Sequence, residues 1–312
     1  MSQDHDRRTF LRRSAAAAAA VALGRSWPAL AAPTASKKLV QVQGAGVPAD
    51  LDRALARALK PLGGMGAFVK RGAKVVLKPN MGFATEPQVR ATTAPGLVAA
   101  VVRQVLDCKP AEVLVLDSPM RHPQACRERN GIAAACRDLD AELLLPTADR
   151  FFAEVDVPEG EQLKKVAVLR AVLECDVHIP LPVAKSHMAA GYTGAIKGHM
   201  GVIRDRESFH TRLQLDQAIA DLATVLPCPL VVLDGLAVMA RGGPGGPGEL
   251  VETKALVAGS DLVAVDAAGV ALAPLYGRRI APGRIKHLKA AADHGVGRLE
   301  LPAARVAEIE LG

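Results

Sequence analysis

Residues 185–210 hold the densest group of side chains able to do chemistry: Lys185, His187, Lys197, His199, Arg204 and His210, separated by Gly191, Gly194, Gly198 and Gly201. A lysine binds anions, and one stripped of water gives up its proton more easily and becomes a base or a covalent nucleophile. A histidine near neutral pH carries protons or ligates a metal. Glycines let backbone amides approach a bound anion closely, most usefully where a helix begins. A segment that merely joins two elements needs none of this. We therefore take His187, Lys197 and Lys185 as candidate catalytic residues, Thr193 and Arg204 as candidate substrate contacts, and His199 and His210 as candidate metal ligands.

A second set of polar residues follows short apolar runs. Lys78 and Asn80 come after one, Asp117 and Ser118 after another, Asp234 after a third, and Thr93 and Asp266 flank helical segments. Lys78 reads as an anion or oxygen contact, with Asn80, Thr93 and Ser118 as polar companions. Asp117 and Asp234 are candidate metal ligands, and carboxylates of this kind also orient a ligating imidazole. Each of the three aspartates can equally cap a helix, and Asn80 has the same plain alternative.

What could bring these groups together is an alternation of strands and helices. Val and Leu runs bounded by turn residues at 39–43, 74–78, 112–117, 142–145, 177–181, 230–234 and 255–258 read as buried strands. Ala-rich stretches of helical period lie at 50–60, 96–106, 124–137, 213–226 and 262–273. This is the pattern of an α/β fold, a mostly parallel sheet with helices on both faces, built from βαβ units. Ligands in such sheets collect beyond the carboxyl ends of the strands, where the polar residues above are expected to meet. The run Arg241 to Gly248, rich in Gly and Pro, is either a solvent-exposed linker or a backbone cradle over that edge. No GxGxxG directly follows one of these strands and no GxxxxGK[ST] occurs, which argues against a standard dinucleotide fold or a phosphate-binding NTPase loop.

Composition narrows the partners. The net charge is +7, but five arginines and two aspartates in the first 31 residues supply +3 of it, leaving +4 for the rest. Those charges are dispersed and aromatic residues make up 3% of the chain, so nothing here suits nucleic acid, while a small anionic ligand does suit a mild positive excess. Cys108, Cys126, Cys136, Cys175 and Cys228 form no CxxC and no iron–sulfur or zinc motif. Cys126 and Cys136 are the one close pair, open either to a disulfide or to two small buried side chains.

The N-terminus reads as an export signal. Arg7-Arg8-Thr9-Phe10-Leu11-Arg12, the apolar run 15–23 and Ala29-Leu30-Ala31 supply the charged start, apolar middle and small-residue end of a twin-arginine signal peptide. The apolar run is shorter than the ~20 residues a spanning helix needs. Residues 1–31 are thus expected to be a leader that engages the twin-arginine translocon. A mature domain at 32–312 is then expected in the periplasm, with no stable transmembrane segment.

Seven stretches resemble, in order, one family. Val76-Leu77-Lys78-Pro79-Asn80, Ala91-Thr92-Thr93-Ala94-Pro95, Val115-Leu116-Asp117-Ser118-Pro119, Leu181 to His187, Thr193-Gly194-Ala195-Ile196-Lys197, Val232-Leu233-Asp234-Gly235 and Ala264-Val265-Asp266-Ala267 match the pattern of the DUF362 family. Its members often carry ferredoxin-type cysteine clusters beside this domain, and this chain has none. The family pattern also places Asn after the second lysine, where Gly198 stands here. A shorter stretch, from His187 to His210, is similar to a segment of the nickel-pincer lactate racemases. That likeness implies His187 as acid or base, Lys197 as the point of cofactor attachment and His210 as a metal ligand. The sequence thus supports an enzyme using a divalent metal or organometallic cofactor, of nickel-pincer or other type, for proton or hydride movement on a small anion. It also admits, as alternatives, a periplasmic binding protein for an anionic ligand, or a scaffold whose polar segment only stabilises loops.

Overall fold

Alternating apolar residues in strands that bury both faces dictate the architecture. In a computed structural model describing residues 38–119 and 122–312, Val75 and Leu77 enter one hydrophobic core while Val76 enters another; Val113 and Val115 alternate with Leu114 and Leu116 in the same way. The helices Leu51–Leu59 and Pro95–Asp107 pack into one core. Leu215–Thr224, Leu262–Ala271 and Lys286–Asp293 pack into the other, so helices cover both faces of an α/β fold. All described residues fall in one compact unit, Ala32–Gly312. The expected export signal at residues 1–31 lies outside the described residues.

The strands form two main sheets rather than one. β2 (Lys74–Pro79), β3 (Glu112–Leu116), β4 (Glu142–Leu144) and β7 (Val177–Leu181) make a four-stranded sheet in the order β4-β3-β2-β7, parallel throughout. The helix Pro95–Asp107 links β2 to β3 as a βαβ unit. β1 (Leu39–Gln43), β8 (Val183–His187), β9 (Gly191–Thr193), β10 (Val231–Arg241), β11 (Glu249–Gly259) and β12 (Val306–Glu310) make a six-stranded mixed sheet in the order β12-β1-β11-β10-β8-β9. In it β10 pairs antiparallel to β11 and parallel to β8. β5 (Phe152–Asp156) and β6 (Lys165–Leu169) form a separate antiparallel pair.

Several expectations change in detail. The run read at 230–234 is the start of the eleven-residue strand β10, which stays buried through Ala240, and the run at 255–258 lies in the buried end of the eleven-residue strand β11. The helix expected over 124–137 is two short ones, Pro123–Arg129 and Ile132–Ala135. It breaks because Gly131 takes φ +77° and the Asn130 side-chain oxygen accepts from Ile132 N at 3.0 Å, replacing the continuing ladder. All five cysteines are thiols, so no disulfide joins Cys126 to Cys136; both are buried. Among the described residues no helix is long and apolar enough to cross a membrane.

Candidate functional site

The chain changes sheets at Pro182. β7 ends at Leu181 in the parallel sheet and β8 begins at Val183 in the mixed one, with Asp234 N donating to the Pro182 carbonyl at 2.8 Å. A proline lacks the N–H that a continuing ladder would use, which suits it to the crossing point. The carboxyl ends of β2, β3 and β7 therefore lie beside β8, and the polar residues of all four meet. By the two-residue period Lys78 shares a face with Val76 and, across the ladder, with His178 and Pro180.

Lys78 is 4% exposed and its ammonium lies 3.1 Å from Asp117 Oδ1. Asp117 also accepts from Met81 N at 2.7 Å and from Ser118 N at 3.1 Å, so it clasps the ends of β2 and β3. Burial lowers the Lys78 pKa, opposed by Asp117. Gly201 closes over this ion pair: a side chain there would come within 2.6 Å of Lys78 Nζ. Thr93 works as a staple, accepting from Asn80 N at 2.9 Å and donating to the Leu181 carbonyl at 2.6 Å.

Lys185 and His187 extend from β8. Lys185 is fully buried, donates to the Ala91 carbonyl and sits 4.4 Å above the centre of the Phe83 ring. Burial, then Lys197, holds its pKa well below the ordinary lysine value, and Lys78 adds to the effect. His187 Nδ1 lies 3.2 Å from both Ala189 N and Ala190 N and accepts from them. That assignment puts the proton of the neutral ring on Nε2. Burial, followed by Lys197 and His210, pushes the His187 pKa down to about 3, so the ring is a neutral N–H donor.

Lys197 lies on a single helical turn, Ala195–Gly198, whose position is set by Asp266. The buried Asp266 carboxylate accepts from Ala195 N at 2.6 Å and from Ile196 N at 2.9 Å. Burial raises the Asp266 pKa to about 7 against the pull of those two amides. Gly194 is required for this contact, because a Cβ there would sit 2.8 Å from Asp266 Oδ2. Lys197 keeps partial exposure. Burial first, then Arg206 and Lys78, bring its pKa down to about 8. His210 is exposed, with its pKa lowered by burial and then by Lys197.

The structure thus gathers Lys78, Lys185, Lys197, His187 and Asp117, with Asn80, Thr93, Ser118 and Thr193 around the same strand ends. His210 lies at the edge of this group, near enough to lower the His187 pKa, and three others have separate settings. Arg204 is exposed and pairs through Nε with Asp149. Asp234 accepts from Ala94 N at 2.7 Å and Leu236 N at 3.0 Å, which places it at the start of the helix Pro95–Asp107. His199 is fully buried, with its ring centre 5.7 Å from that of His178, and no nitrogen of either ring has a hydrogen-bond partner. Among the described residues no three His, Cys, Asp or Glu side chains are placed to hold a metal ion, so His199, His210, Asp117 and Asp234 do not form a ligand set.

Reading by sequence position missed Arg206, the partly buried cation that lowers the pKa of both Lys78 and Lys197. No periodicity at this irregular bend separates it from its neighbour Arg204. His178 and His287 were also missed. His287 is fully buried, 3.4 Å from Asp216, and contributes to the lowered pKa of His187. The position of His178 in the apolar strand Val177–Leu181 was a legible signal. The Gly-rich run after β10 packs on the site rather than standing clear of it: Gly243 N lies 3.1 Å from Ser186 Oγ, and Gly245 lies beside the Phe83 ring.

Several known proteins are similar to this chain. The thylakoid-associated protein of Synechocystis sp. (strain ATCC 27184 / PCC 6803 / Kazusa) is 30% identical over 216 residues, which cover 67% of this chain and 65% of that protein. The lactate racemase apoprotein from Thermoanaerobacterium thermosaccharolyticum is similar at a TM-score of 0.45 and 13% identity, over 75% of this chain and 57% of that one. A crystal structure of a Thermotoga maritima protein is similar at a TM-score of 0.42 and 11% identity, over 70% and 57%. The chain therefore spans less than two thirds of the length of each of these proteins. The family described as a domain of unknown function, DUF362, matches residues 75–271, which include every candidate residue from Lys78 to Asp266, and the chain belongs to that family.

Proposed function

We propose that this chain is an exported enzyme that binds a small anionic substrate and moves a proton or hydride on it. One observation carries the reading: Lys78, Lys185, Lys197 and Arg206 are gathered in a largely buried setting where Asp117 is the nearby carboxylate that offsets them. Packing cations away from water costs free energy that an anionic ligand would recover. Lys78 and Arg206 hold the anion. With a pKa of about 8, Lys197 is partly unprotonated near neutral pH and serves as proton acceptor or nucleophile. His187 cannot accept a proton at Nε2 while its Nδ1 is held by two amides, so it donates Nε2–H to charge developing on the substrate.

A cofactor attached to Lys197 fits these residues, because the amine is partly exposed and readily deprotonated, and His210 lies close enough to respond to it. Such a group would supply hydride acceptance; among the described residues no three His, Cys, Asp or Glu side chains are placed to cage a metal by themselves. Export rests on the twin arginines Arg7-Arg8 and the run that follows them. Intact mass and elemental analysis of the chain recovered from the periplasm test the proposal. Added mass on Lys197, or stoichiometric metal lost in Lys197→Ala, is expected. Unmodified, metal-free protein that turns over no small carboxylate anion would sink the enzyme reading.

The gathered cations support one other reading as well, a periplasmic binding protein for the same anion. It predicts thermal stabilisation by ligand of about 2.7 kcal/mol at a hundredfold excess over Kd, indifferent to chelators.

A further inference from the structure

We propose that the cleft between the helices Leu215–Thr224 and Lys286–Asp293 is a second ligand site, taking a small oxyanion of the phosphate or carboxylate class. The cleft has a volume of about 430 Å³, and Gln217, His294, Arg284, Lys286 and Glu161 line it. None of these residues belongs to the lysine cluster.

Behind the wall a fully buried carboxylate, Asp221, contacts two of the lining side chains, Gln217 and His294. Asp221 Oδ2 accepts from Gln162 N at 2.7 Å and Leu163 N at 2.9 Å, while Oδ1 accepts from Gln217 Nε2 at 3.0 Å and lies 2.8 Å from His294 Nε2. Burial opposes its ionisation, yet the hydrogen bonds from Leu163, Gln217 and Gln162 prevail and hold its pKa below the usual carboxylate value. His294 Nε2 lies between two partners, 2.8 Å from Asp221 Oδ1 and 2.7 Å from Gln217 Nε2, so whether it donates to the carboxylate or accepts from the amide follows the tautomer. The other ring nitrogen, Nδ1, is left on the cleft wall with no hydrogen bond among the described residues. With a proton on Nδ1, that nitrogen can donate to an anion in the cleft.

The surrounding charges favour the same ligand. Arg284 and Lys286 are exposed at the wall, and neither has an ion pair among the described residues. Lys289 is 2.6 Å from Asp293 and is satisfied by it, which leaves Glu161 as the opposing acid on the wall. The helix Lys286–Asp293 begins here without a side-chain cap, adding the positive end of its dipole. A joint needed only to hold two helices together is made as well by apolar side chains, without the cost of burying Asp221.

Titration of the full chain with inorganic phosphate and with malonate, following the His294 ring resonances by NMR at fixed pH, tests the proposal. A saturable shift is expected with at least one probe, and the responding probe identifies the oxyanion class. The double variant Arg284→Ala, Lys286→Ala changes only exposed side chains and should weaken binding about tenfold or more. Lys197→Ala should bind as the wild type does. No saturable shift with either probe, a shift unchanged in the double variant, or one abolished by Lys197→Ala would overturn the assignment.

Discussion

Lys197 is the residue on which the chemistry turns, and its environment makes a measurable statement. An ordinary lysine titrates at 10.5, whereas burial with Arg206 and Lys78 nearby brings this one to about 8. Acylation of Lys197, followed by peptide mass spectrometry across a pH series, should rise with a midpoint near that value; a midpoint above 10 would remove the amine from the mechanism. His178 gives a second test at this scale. Its two ring nitrogens are buried without partners, so the side chain costs stability in the folded state. His178→Leu should raise the unfolding free energy by about 1 to 3 kcal/mol in urea titrations. A loss of stability would show that the ring has partners in solution. The types of these residues were legible in the sequence, but not their states, because desolvation depends on what packs around them from distant segments.

The turn Ala195–Gly198 is too short to hold itself, and Asp266, from a helix 71 residues further along the chain, fixes it through two amides. Asp266→Asn replaces one acceptor with a donor facing an N–H. It should cost about 1 to 3 kcal/mol and return the Lys197 labelling midpoint toward 10.5 as the turn loosens. An unchanged midpoint would mean that Asp266 does not position Lys197. The glycines of this segment should separate in the same way. A Cβ at Gly198 meets nothing within 4 Å, whereas one at Gly201 would press on Asp117 and on Lys78. Gly198→Asn is therefore expected to melt within a degree or two of the wild type and Gly201→Ala several degrees lower in calorimetry; equal melting temperatures would refute this packing. Element boundaries were legible where the apolar period was clean, as in β1 and β7. They were not at Asn130-Gly131, where a side-chain cap competes with the helix, or in β9, which has three residues.

At the scale of the whole molecule, the buried lysines give stability a definite pH dependence. The folded pKa of Lys197 lies below its unfolded value, and those of Lys78 and Lys185 shift the same way. Between about 8 and 10.5 the unfolded chain therefore binds more protons than the folded one, and stability rises with pH across that window. The penalty is fully present below it. The difference in unfolding free energy between wild type and Lys197→Met should shrink the Met variant's advantage as pH climbs from 8 to 10.5. A difference independent of pH would contradict the shift. His187, with its pKa near 3, adds a loss of stability as pH falls below 6.5.

By itself the sequence determined the α/β class, the position of most strands, the family and the set of residue types able to do chemistry. Periodicity and local motif order are written along the chain and need no partner to be read. Tertiary structure alone decided that the strands divide into two sheets at Pro182, that Arg206 rather than Arg204 joins the lysines, and that Asp234 holds a helix start. Each of these depends on which segments meet across more than fifty residues of chain, and burial, which sets the charge state of every group in the site, exists only after they have met.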